Sequence, residues 1–403
     1  VHLLFTPRAH SRKGRCLPFG TNLHRVLVIN MRRIHTVKLS RLAQLGAVAA
    51  VASLALAGCA ANESAAPGAG SSDSSAPSLE GNLVGGGASS QEVAVQAWTQ
   101  GLQTANPGLT IDYDPSGSGT GRESFQAGAV QFAGSDRAFK TDEITAGPFE
   151  ACAADSDLVE LPTYISPIAV VFNIDGVDSL NLDADTLAKI FAGQITTWND
   201  PAIAALNEGV ELPATAITPV HRSDKSGTTG NFTDYLGKTA PDVWTAGSVE
   251  EWPALGGEAA QGTSGVISAV EGGQGTIGYA DASRAGNLGT VAIKVGDEFV
   301  EYSPEAAAAI VDASPEEEGR AATDIAIKLD RTSTEAGVYP IVLVSYLIGC
   351  AEYKDAATAE MVKGFFSYAA SAEGQDAAAS AAGSAPISET LRTQVTEAIE
   401  AIK

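Results

Sequence analysis

The chain has 403 residues, with 25 lysine and arginine residues against 48 aspartate and glutamate residues. The net charge of −23 argues against a nucleic-acid partner and against broad contact with anionic lipid, because like charges repel. Residues 1–58 hold nine of the basic residues and no acidic residue, so residues 59–403 carry a net charge of −32. An anionic ligand would therefore have to be held by a few local donors, against the field of the whole domain.

The first 58 residues contain an upstream segment followed by a predicted export signal. Before Met31 the chain is basic and aperiodic and looks like upstream translation; after it, a basic head precedes an apolar stretch at 42–57. That stretch is short for a membrane span. Its end, Leu-Ala-Gly-Cys at 56–59, resembles the lipobox of bacterial lipoproteins, although a plain secretory signal is the alternative. We expect lipidation at Cys59 and a location on the extracytoplasmic face of the cell membrane, with the lipid as the only anchor.

The exported part begins with a segment that cannot build a core. Residues 59–79 follow the cleavage point and consist mainly of Ala, Gly, Ser and Pro, which predicts a flexible tether. The folded part, 80–403, is long enough for two lobes. Its only cysteines are Cys152 and Cys350, which are expected either to form a disulfide, as export permits, or to remain two buried thiols.

Strand-like and helix-like stretches alternate through the folded part. Predicted strands lie at 109–113, 130–133, 165–172, 217–220, 276–279 and 341–348. Predicted helices lie near 91–105, 184–192, 226–237, 264–271, 356–371 and 388–402. The alternation predicts α/β lobes with largely parallel sheets, whose ligands lie beyond the carboxyl ends of the strands.

Three stretches place glycines and hydroxyl side chains between a predicted strand and a predicted helix. They are LVGGGASS at 83–90, YDPSGSGTG at 113–121, with a helix from about Arg122, and ITPVHRSDKSGTTGNFTDYL at 217–236. A helix N-terminus offers unpaired N–H groups and the positive end of the helix dipole, so an oxyanion is its natural ligand. One such run is usually a linker, but three in this placement favour anion cradles. None ends in Gly-Lys-Ser/Thr, so a nucleotide-binding P-loop is not indicated.

A carboxylate follows the predicted strand at 130–133. Asp136 ends the sequence Phe-Ala-Gly-Ser-Asp, and a carboxylate can only accept hydrogen bonds, so it requires a ligand that carries an O–H. Hydrogen phosphate offers one and sulfate does not, and such a mismatch can discriminate by a factor of roughly 10⁴. The alternative is a turn-capping residue or an ion pair with Arg137.

The third turn contains the donors best suited to an oxyanion. Arg222 has a planar, permanently charged fork that Asp224 can hold in place. Ser226 and Thr228 add hydroxyl donors, and Gly227 lets the main chain approach closely. Taken alone, this stretch is equally well explained as an ordinary helix N-cap with a surface arginine.

In this order, the four stretches resemble the phosphate-binding subunit of the bacterial high-affinity phosphate ABC importer, a two-lobed, type II periplasmic binding protein. The resemblance spans nearly all of 80–403 and includes ITTWND at 195–200, PAIAALN at 201–207 and GTIGY at 275–279. Carried over residue by residue, the phosphate ligands of the family fall on Ser89, Ser90, Ser118, Asp136, Arg222, Ser226, Gly227 and Thr228, with Asp224 orienting Arg222. Where the family often has threonine and an aromatic residue after the first turn, this chain has two serines, so the backbone amide of Ser90 is expected to matter more than its hydroxyl.

The resemblance also implies an architecture and a partner. The chain would cross between lobes near 163–167 and 334–340, giving one lobe of 80–164 plus 336–403 and another of 165–335. Inorganic phosphate would be held between the lobes, and the transmembrane permease subunits of the importer would recognise the closed form. A monomer without cofactor or metal is expected.

Other functions remain as alternatives. A binding protein for sulfate or molybdate would differ at Asp136, and a lipoprotein that kept only the fold would lack the ligands. An extracellular phosphatase with Ser226 or Thr228 as nucleophile would need a base or metal beside it. His221 is the only histidine after residue 58, and no cluster has metal-ligand spacing, so the sequence argues against an enzyme.

Overall fold

The computed structural model describes residues 78–403. The predicted leader at 1–58, the predicted lipidation site Cys59 and the tether up to residue 77 lie outside the described residues. Within 78–403, no helix is both long and apolar enough to cross a membrane.

Strands and helices alternate through the described part, as the sequence predicts. The strands β1 to β11 of this part are Glu80–Gly87, Gly108–Asp114, Phe132–Ser135, Leu158–Phe172, Ser179–Leu182, Thr218–Arg222, Glu258–Ala260, Thr276–Asp281, Gly289–Val295, Glu298–Val300 and Val342–Cys350. Its helices α1 to α11 are Glu92–Ala105, Ser118–Gln126, Thr141–Ala146, Ala184–Phe191, Pro201–Leu206, Gly227–Thr239, Gly262–Gly272, Pro304–Asp312, Ala356–Ala370, Ala372–Ala382 and Glu389–Glu400.

The main sheet has the strand order β2-β1-β3-β11-β4-β8-β6-β7, and β9 joins β5 and β10 to β4. Towards both ends the pairs are parallel: β1 with β2 and β3, and β6 with β7 and β8. At the centre, β4 is antiparallel to both β11 and β8. The prediction of largely parallel sheets is therefore wrong there. The reason is that β4 and β11 follow long irregular connections, 147–157 and 313–341, which do not impose a strand direction.

Strand β4 carries the chain from one part of the sheet to the other. All fifteen of its residues are buried. Its first part, up to Pro167, pairs with β11, and its last part, from Ile168, pairs with β8. This change of partner falls next to the predicted crossing at 163–167.

Buried aromatic side chains and one disulfide hold the helices and loops on the sheet. Trp98 and Trp198 are fully buried and donate hydrogen bonds to the carbonyl oxygens of Gly374 and Gly275, at 2.8 and 3.0 Å. A disulfide joins Cys152, in the loop before β4, to Cys350 at the end of β11. These contacts fix α1 and the loops that carry Trp198 and Cys152 against the rest of the fold.

Candidate anion-binding site

Asp136 lies at the meeting point of three helix N-termini. It directly follows β3, and it is 3% exposed. Ser90, just before α1, donates to its Oδ1 at 2.6 Å, and Thr228, in the first turn of α6, donates to its Oδ2 at 3.0 Å. The hydroxyl of Ser118, the first residue of α2, accepts from its backbone N–H at 3.1 Å. The three predicted cradles thus contact one residue, two of them through its carboxylate and one through its backbone N–H.

The hydroxyl of Ser90 is more involved than the sequence suggests. Its backbone amide is expected to matter more than its hydroxyl, yet its Oγ makes the shorter of the two hydroxyl contacts to the Asp136 carboxylate. A serine suffices for this contact, because the backbone before α1 already brings the residue to the end of β3.

Two glycines allow the second and third turns to touch. Gly117 has a φ of 103°, and a Cβ there would lie 2.5 Å from Oδ2 of Asp224. A Cβ on Gly227 would lie 2.5 Å from Oγ of Ser118 and 2.6 Å from Cβ of Asp136. Any side chain at either position would push the segments apart. Helix α2 starts at Ser118 and not near Arg122 as predicted. The reason is that the chain already turns at Gly117, so Gly119 and Gly121 lie inside the helix.

Arg222 ends β6 and is held by a neighbouring carboxylate. Its Nε donates to Oδ1 of Asp224 at 2.8 Å, and its Nη2 donates to Oδ2. The backbone N–H of Gly262 also donates to Oδ1, at 3.0 Å. Among residues 78–403, Nη1 has no hydrogen-bond acceptor, although the side chain is only 2% exposed. The guanidinium is therefore fixed with one edge left for an oxyanion.

The pKa values of the two site carboxyl groups move in opposite directions. Burial opposes ionisation of Asp224, but the hydrogen bonds and charge of Arg222 hold its pKa below the ordinary value. Burial raises the pKa of Asp136, and the hydrogen bonds from Ser90 and Thr228 offset this only in part. A carboxylate of raised proton affinity is a strong acceptor for a ligand O–H, so Asp136 suits an oxyanion that still carries a proton.

A fourth helix N-terminus reaches the site, and the sequence analysis missed it. Oγ of Ser89 lies 3.1 Å from Oγ1 of Thr263 and accepts from the backbone N–H of Thr263 at 3.1 Å. Thr263 is the second residue of α7, and Gly262 before it binds Asp224. The signal was present as Gln-Gly-Thr-Ser-Gly at 261–265, which repeats the glycine and hydroxyl pattern of the other turns.

Ser226 is an N-cap as well as a candidate ligand. Its Oγ accepts from the backbone N–H of Thr229 at 3.1 Å, and its own backbone N–H donates to the carbonyl oxygen of Glu250 at 3.0 Å. Its backbone donor is therefore occupied, and only the hydroxyl hydrogen remains for a ligand. Both sequence interpretations of this residue, cap and cradle, are compatible with its position.

The neighbouring charged and aromatic groups have structural partners. Arg137 pairs with Glu143 and Glu250 and not with Asp136, so the alternative of a local ion pair is wrong. The ring of His221 stacks on Trp252 at 5.0 Å, and its Nδ1 lies 2.9 Å from the carbonyl oxygen of Arg222. Within the described part of the chain, no group of three His, Cys, Asp or Glu residues could hold a metal ion.

Comparison with known proteins identifies the family. Residues 62–373 match a PBP superfamily domain. Over 329 residues the chain is 36% identical to the phosphate-binding protein PstS2 of Mycobacterium bovis BCG, an alignment that covers 79% of this chain and 87% of that protein. The chain belongs to the PstS family of phosphate-binding proteins. Another member, the phosphate-binding protein PstS 3 of Mycobacterium leprae, is 35% identical over 323 residues, covering 77% of this chain and 85% of its own.

A solved structure supports the fold of this family. The high-affinity periplasmic phosphate-binding protein PfluDING, determined with bound phosphate at pH 8.5, superposes with a TM-score of 0.61. The alignment covers 79% of this chain and 93% of that chain, at 22% sequence identity. The predicted family resemblance and the predicted α/β, two-lobed fold are both confirmed.

Proposed function

We propose that this chain captures inorganic phosphate outside the cell and delivers it to an ABC permease for import. The observation that carries the proposal is the buried carboxylate of Asp136. Hydroxyl groups at the starts of two helices donate to this carboxylate, and Arg222 nearby has one edge of its guanidinium without an acceptor in the described residues. The names of the PstS relatives support the same ligand.

The ligand set follows from the three glycine-rich turns and Asp136. We propose that phosphate is bound by Ser89, Ser90, Ser118, Asp136, Arg222, Ser226, Gly227 and Thr228. The first four belong to the proposed lobe of 80–164 plus 336–403, and the rest belong to the proposed lobe of 165–335. Because each lobe supplies donors, phosphate favours closure of one lobe on the other. The change of partner along β4 supports the first of the two crossings.

Asp136 is the residue that distinguishes phosphate from sulfate. A hydrogen phosphate O–H would donate to its carboxylate, whereas sulfate would bring an unprotonated oxygen against a negative charge. Burial raises the pKa of Asp136, which makes its carboxylate a stronger acceptor for the O–H of hydrogen phosphate. This mechanism also disfavours the alternative of a sulfate or molybdate binder.

Attachment and partners complete the proposal. Lipidation of Cys59 would hold the protein at the extracytoplasmic face of the membrane, and permease subunits would receive phosphate from the closed form. The support for the anchor is the lipobox-like sequence at 56–59. A monomer is proposed because a single chain supplies every predicted ligand.

Binding is favoured over phosphatase activity by the surroundings of the candidate nucleophiles. Oγ of Ser226 caps α6, and the ring of His221 stacks on Trp252. Thr228 does donate to Asp136, so a hydrolysis assay with a phosphate monoester belongs beside the binding assay.

Calorimetric titration of residues 60–403, stripped of bound anion, tests the proposal. We expect the native protein to bind phosphate and to give no response to sulfate. Asp136→Asn should lose this preference, because an amide can donate to sulfate where the carboxylate could not. The matched control is Asp142→Asn, an exposed aspartate six residues on, which should leave both titrations unchanged. A folded, stripped native protein that gives no heat with phosphate would overturn the proposed function.

A further inference from the structure

Glu250 lies between α6 and β7 and pairs with two arginines from the other proposed lobe. Its Oε2 accepts from Nη2 of Arg122 at 2.5 Å and from Nη2 of Arg137 at 3.1 Å. The Glu250 side chain is 16% exposed, and that of Arg122 is 4% exposed. The ion pair is largely buried. Solvent therefore screens it much less than it screens an ion pair on the surface.

Each partner of Glu250 is attached to a part of the candidate site. Arg122 lies on α2, which begins at Ser118, and its Nη1 donates at 2.6 Å to Oγ of Ser135, the residue before Asp136. Arg137 is the residue after Asp136. On the opposite side, the carbonyl oxygen of Glu250 accepts from the backbone N–H of Ser226. One residue therefore connects the start of α6 to the start of α2 and to the end of β3.

The contact between the two lobes at Arg122 and Arg137 depends on the negative charge of Glu250. Burial lowers the pKa of Arg122, the nearby charge of Arg137 lowers it further, and the carboxylate of Glu250 opposes both effects. Burial likewise raises the pKa of Glu250, but the two arginines hold it below its ordinary value. Without the carboxylate, the buried guanidinium of Arg122 would keep only the hydroxyl of Ser135 among its described acceptors, beside the charge of Arg137, which Glu143 would still pair. When the lobes separate, all three groups can be hydrated, so the penalty would fall on the closed form.

We propose that Glu250, with Arg122 and Arg137, forms an interlobe clasp that slows the release of phosphate. Glu250 is a positioning residue in this proposal: it does not contact the ligand but holds the segments that do. The inference rests on the proposed function, since it concerns the closure that phosphate favours. Because Glu250 meets the two arginines only after closure, the clasp affects the dissociation rate constant far more than the association rate constant.

A second ion pair between the same lobes supplies a matched control. Lys225 pairs with Glu123, but their side chains are 41% and 62% exposed. An exposed pair contributes little because solvent screens it and two long side chains must be ordered. Glu123→Gln therefore removes the same charge from a contact that also joins the two lobes.

Stopped-flow measurement of phosphate association and dissociation, on residues 60–403, tests the clasp. We expect Glu250→Gln to raise the dissociation rate constant by roughly ten- to hundredfold, as for loss of a hydrogen bond to a charged group, and to leave the association rate constant within about twofold. Glu123→Gln should change neither by more than about twofold. Arg137→Gln removes the more exposed partner and should also speed dissociation.

The outcomes separate the clasp from the proposed function. A dissociation rate constant for Glu250→Gln within twofold of the native value, or an equal rise in Glu123→Gln, would overturn the clasp. If Glu250→Gln fails to fold, Arg137→Gln decides in the same way. A native protein that binds no phosphate would overturn the proposed function instead. Unchanged melting temperatures of the stripped variants would exclude a general loss of stability as the cause of faster release.

Discussion

Asp281, the last residue of β8, is a buried carboxyl group next to the strand that joins the two parts of the sheet. The hydroxyl of Tyr164 on β4 donates to its two oxygens at 3.1 and 3.2 Å, and the backbone N–H of Ser283 donates at 3.0 Å. The residue is fully buried, and burial raises its pKa from 3.8 to about 6 despite these hydrogen bonds. The group therefore links the stability of this region to pH.

We predict that Asp281 makes the protein less stable as the pH rises from about 4 to about 6. Over this range the unfolded chain has lost the proton while the folded protein retains it, so the contribution of Asp281 to the free energy of unfolding falls by up to about 3 kcal/mol. Below the ordinary pKa of 3.8 both states are protonated, and the contribution is fully present. Urea unfolding of native protein and Asp281→Asn at several pH values measures the effect.

The difference between the two proteins isolates Asp281, because other groups titrate in both. The free energy of unfolding of the native protein minus that of Asp281→Asn should decrease as the pH rises and then become constant above about pH 6. Asp178→Asn, at an exposed position, controls for the removal of one carboxyl group. A difference for Asp281→Asn that does not change with pH would contradict the prediction.

At the scale of the elements, the site is built from helix starts. Helices α1, α2, α6 and α7 each begin beside a strand end; the first turns of α2, α6 and α7 carry glycines and hydroxyl groups, and two serines lie just before α1. These residues are poor helix formers inside a helix but favourable at its start, where N–H groups are unpaired. Helices α8 and α10, which the predicted list lacks, are rich in alanine: α10 contains no large apolar side chain, and in α8 only Ile310 and Val311 mark the buried face.

We predict that Gly227→Ala weakens phosphate binding by roughly ten- to hundredfold, the equivalent of a typical overpacking cost. The new methyl group would lie within 2.6 Å of atoms of Ser118 and Asp136, across the proposed lobe boundary. Calorimetry with phosphate measures the loss of affinity. Gly272→Ala, where a Cβ would contact nothing within 4 Å, is the control and should bind phosphate normally. Equal affinities for the two variants would show that the close approach is not needed.

At the scale of the whole molecule, the disulfide closes the largest loop. It joins residues 198 positions apart, at the end of β11 and in the loop before β4, so it restricts about half of the 403-residue chain in the unfolded state. In the described part of the chain, neither cysteine makes a backbone hydrogen bond to a candidate phosphate ligand. Stability and binding should therefore respond differently to its removal.

We predict that the double variant Cys152→Ser, Cys350→Ser unfolds with a free energy about 2–5 kcal/mol lower than that of the native protein. Its phosphate affinity should stay within about threefold of the native value. Chemical unfolding and calorimetry check the two parts. Native protein treated with a reductant should behave like the double variant, and a native protein whose stability is unaffected by reduction would contradict the prediction.

The sequence by itself determined the ligand chemistry of this protein. Glycines, hydroxyl groups, an arginine with its aspartate and a strand-end carboxylate occur in short stretches, and local hydrogen-bonding rules interpret each stretch without knowledge of the others. The family resemblance was specific for the same reason, because it rests on contiguous motifs such as the one at 217–236.

Only the tertiary structure decided how these stretches meet. The antiparallel centre of the sheet, the contact of Ser89 with Thr263 and the pairing of Glu250 with Arg122 all join residues more than a hundred positions apart. Strand direction and long-range ion pairs depend on how distant elements pack, and no local pattern of residue types records that packing. For this reason the sequence suggested the ligand that we propose, whereas the proposed clasp at Glu250 rests on the structure alone.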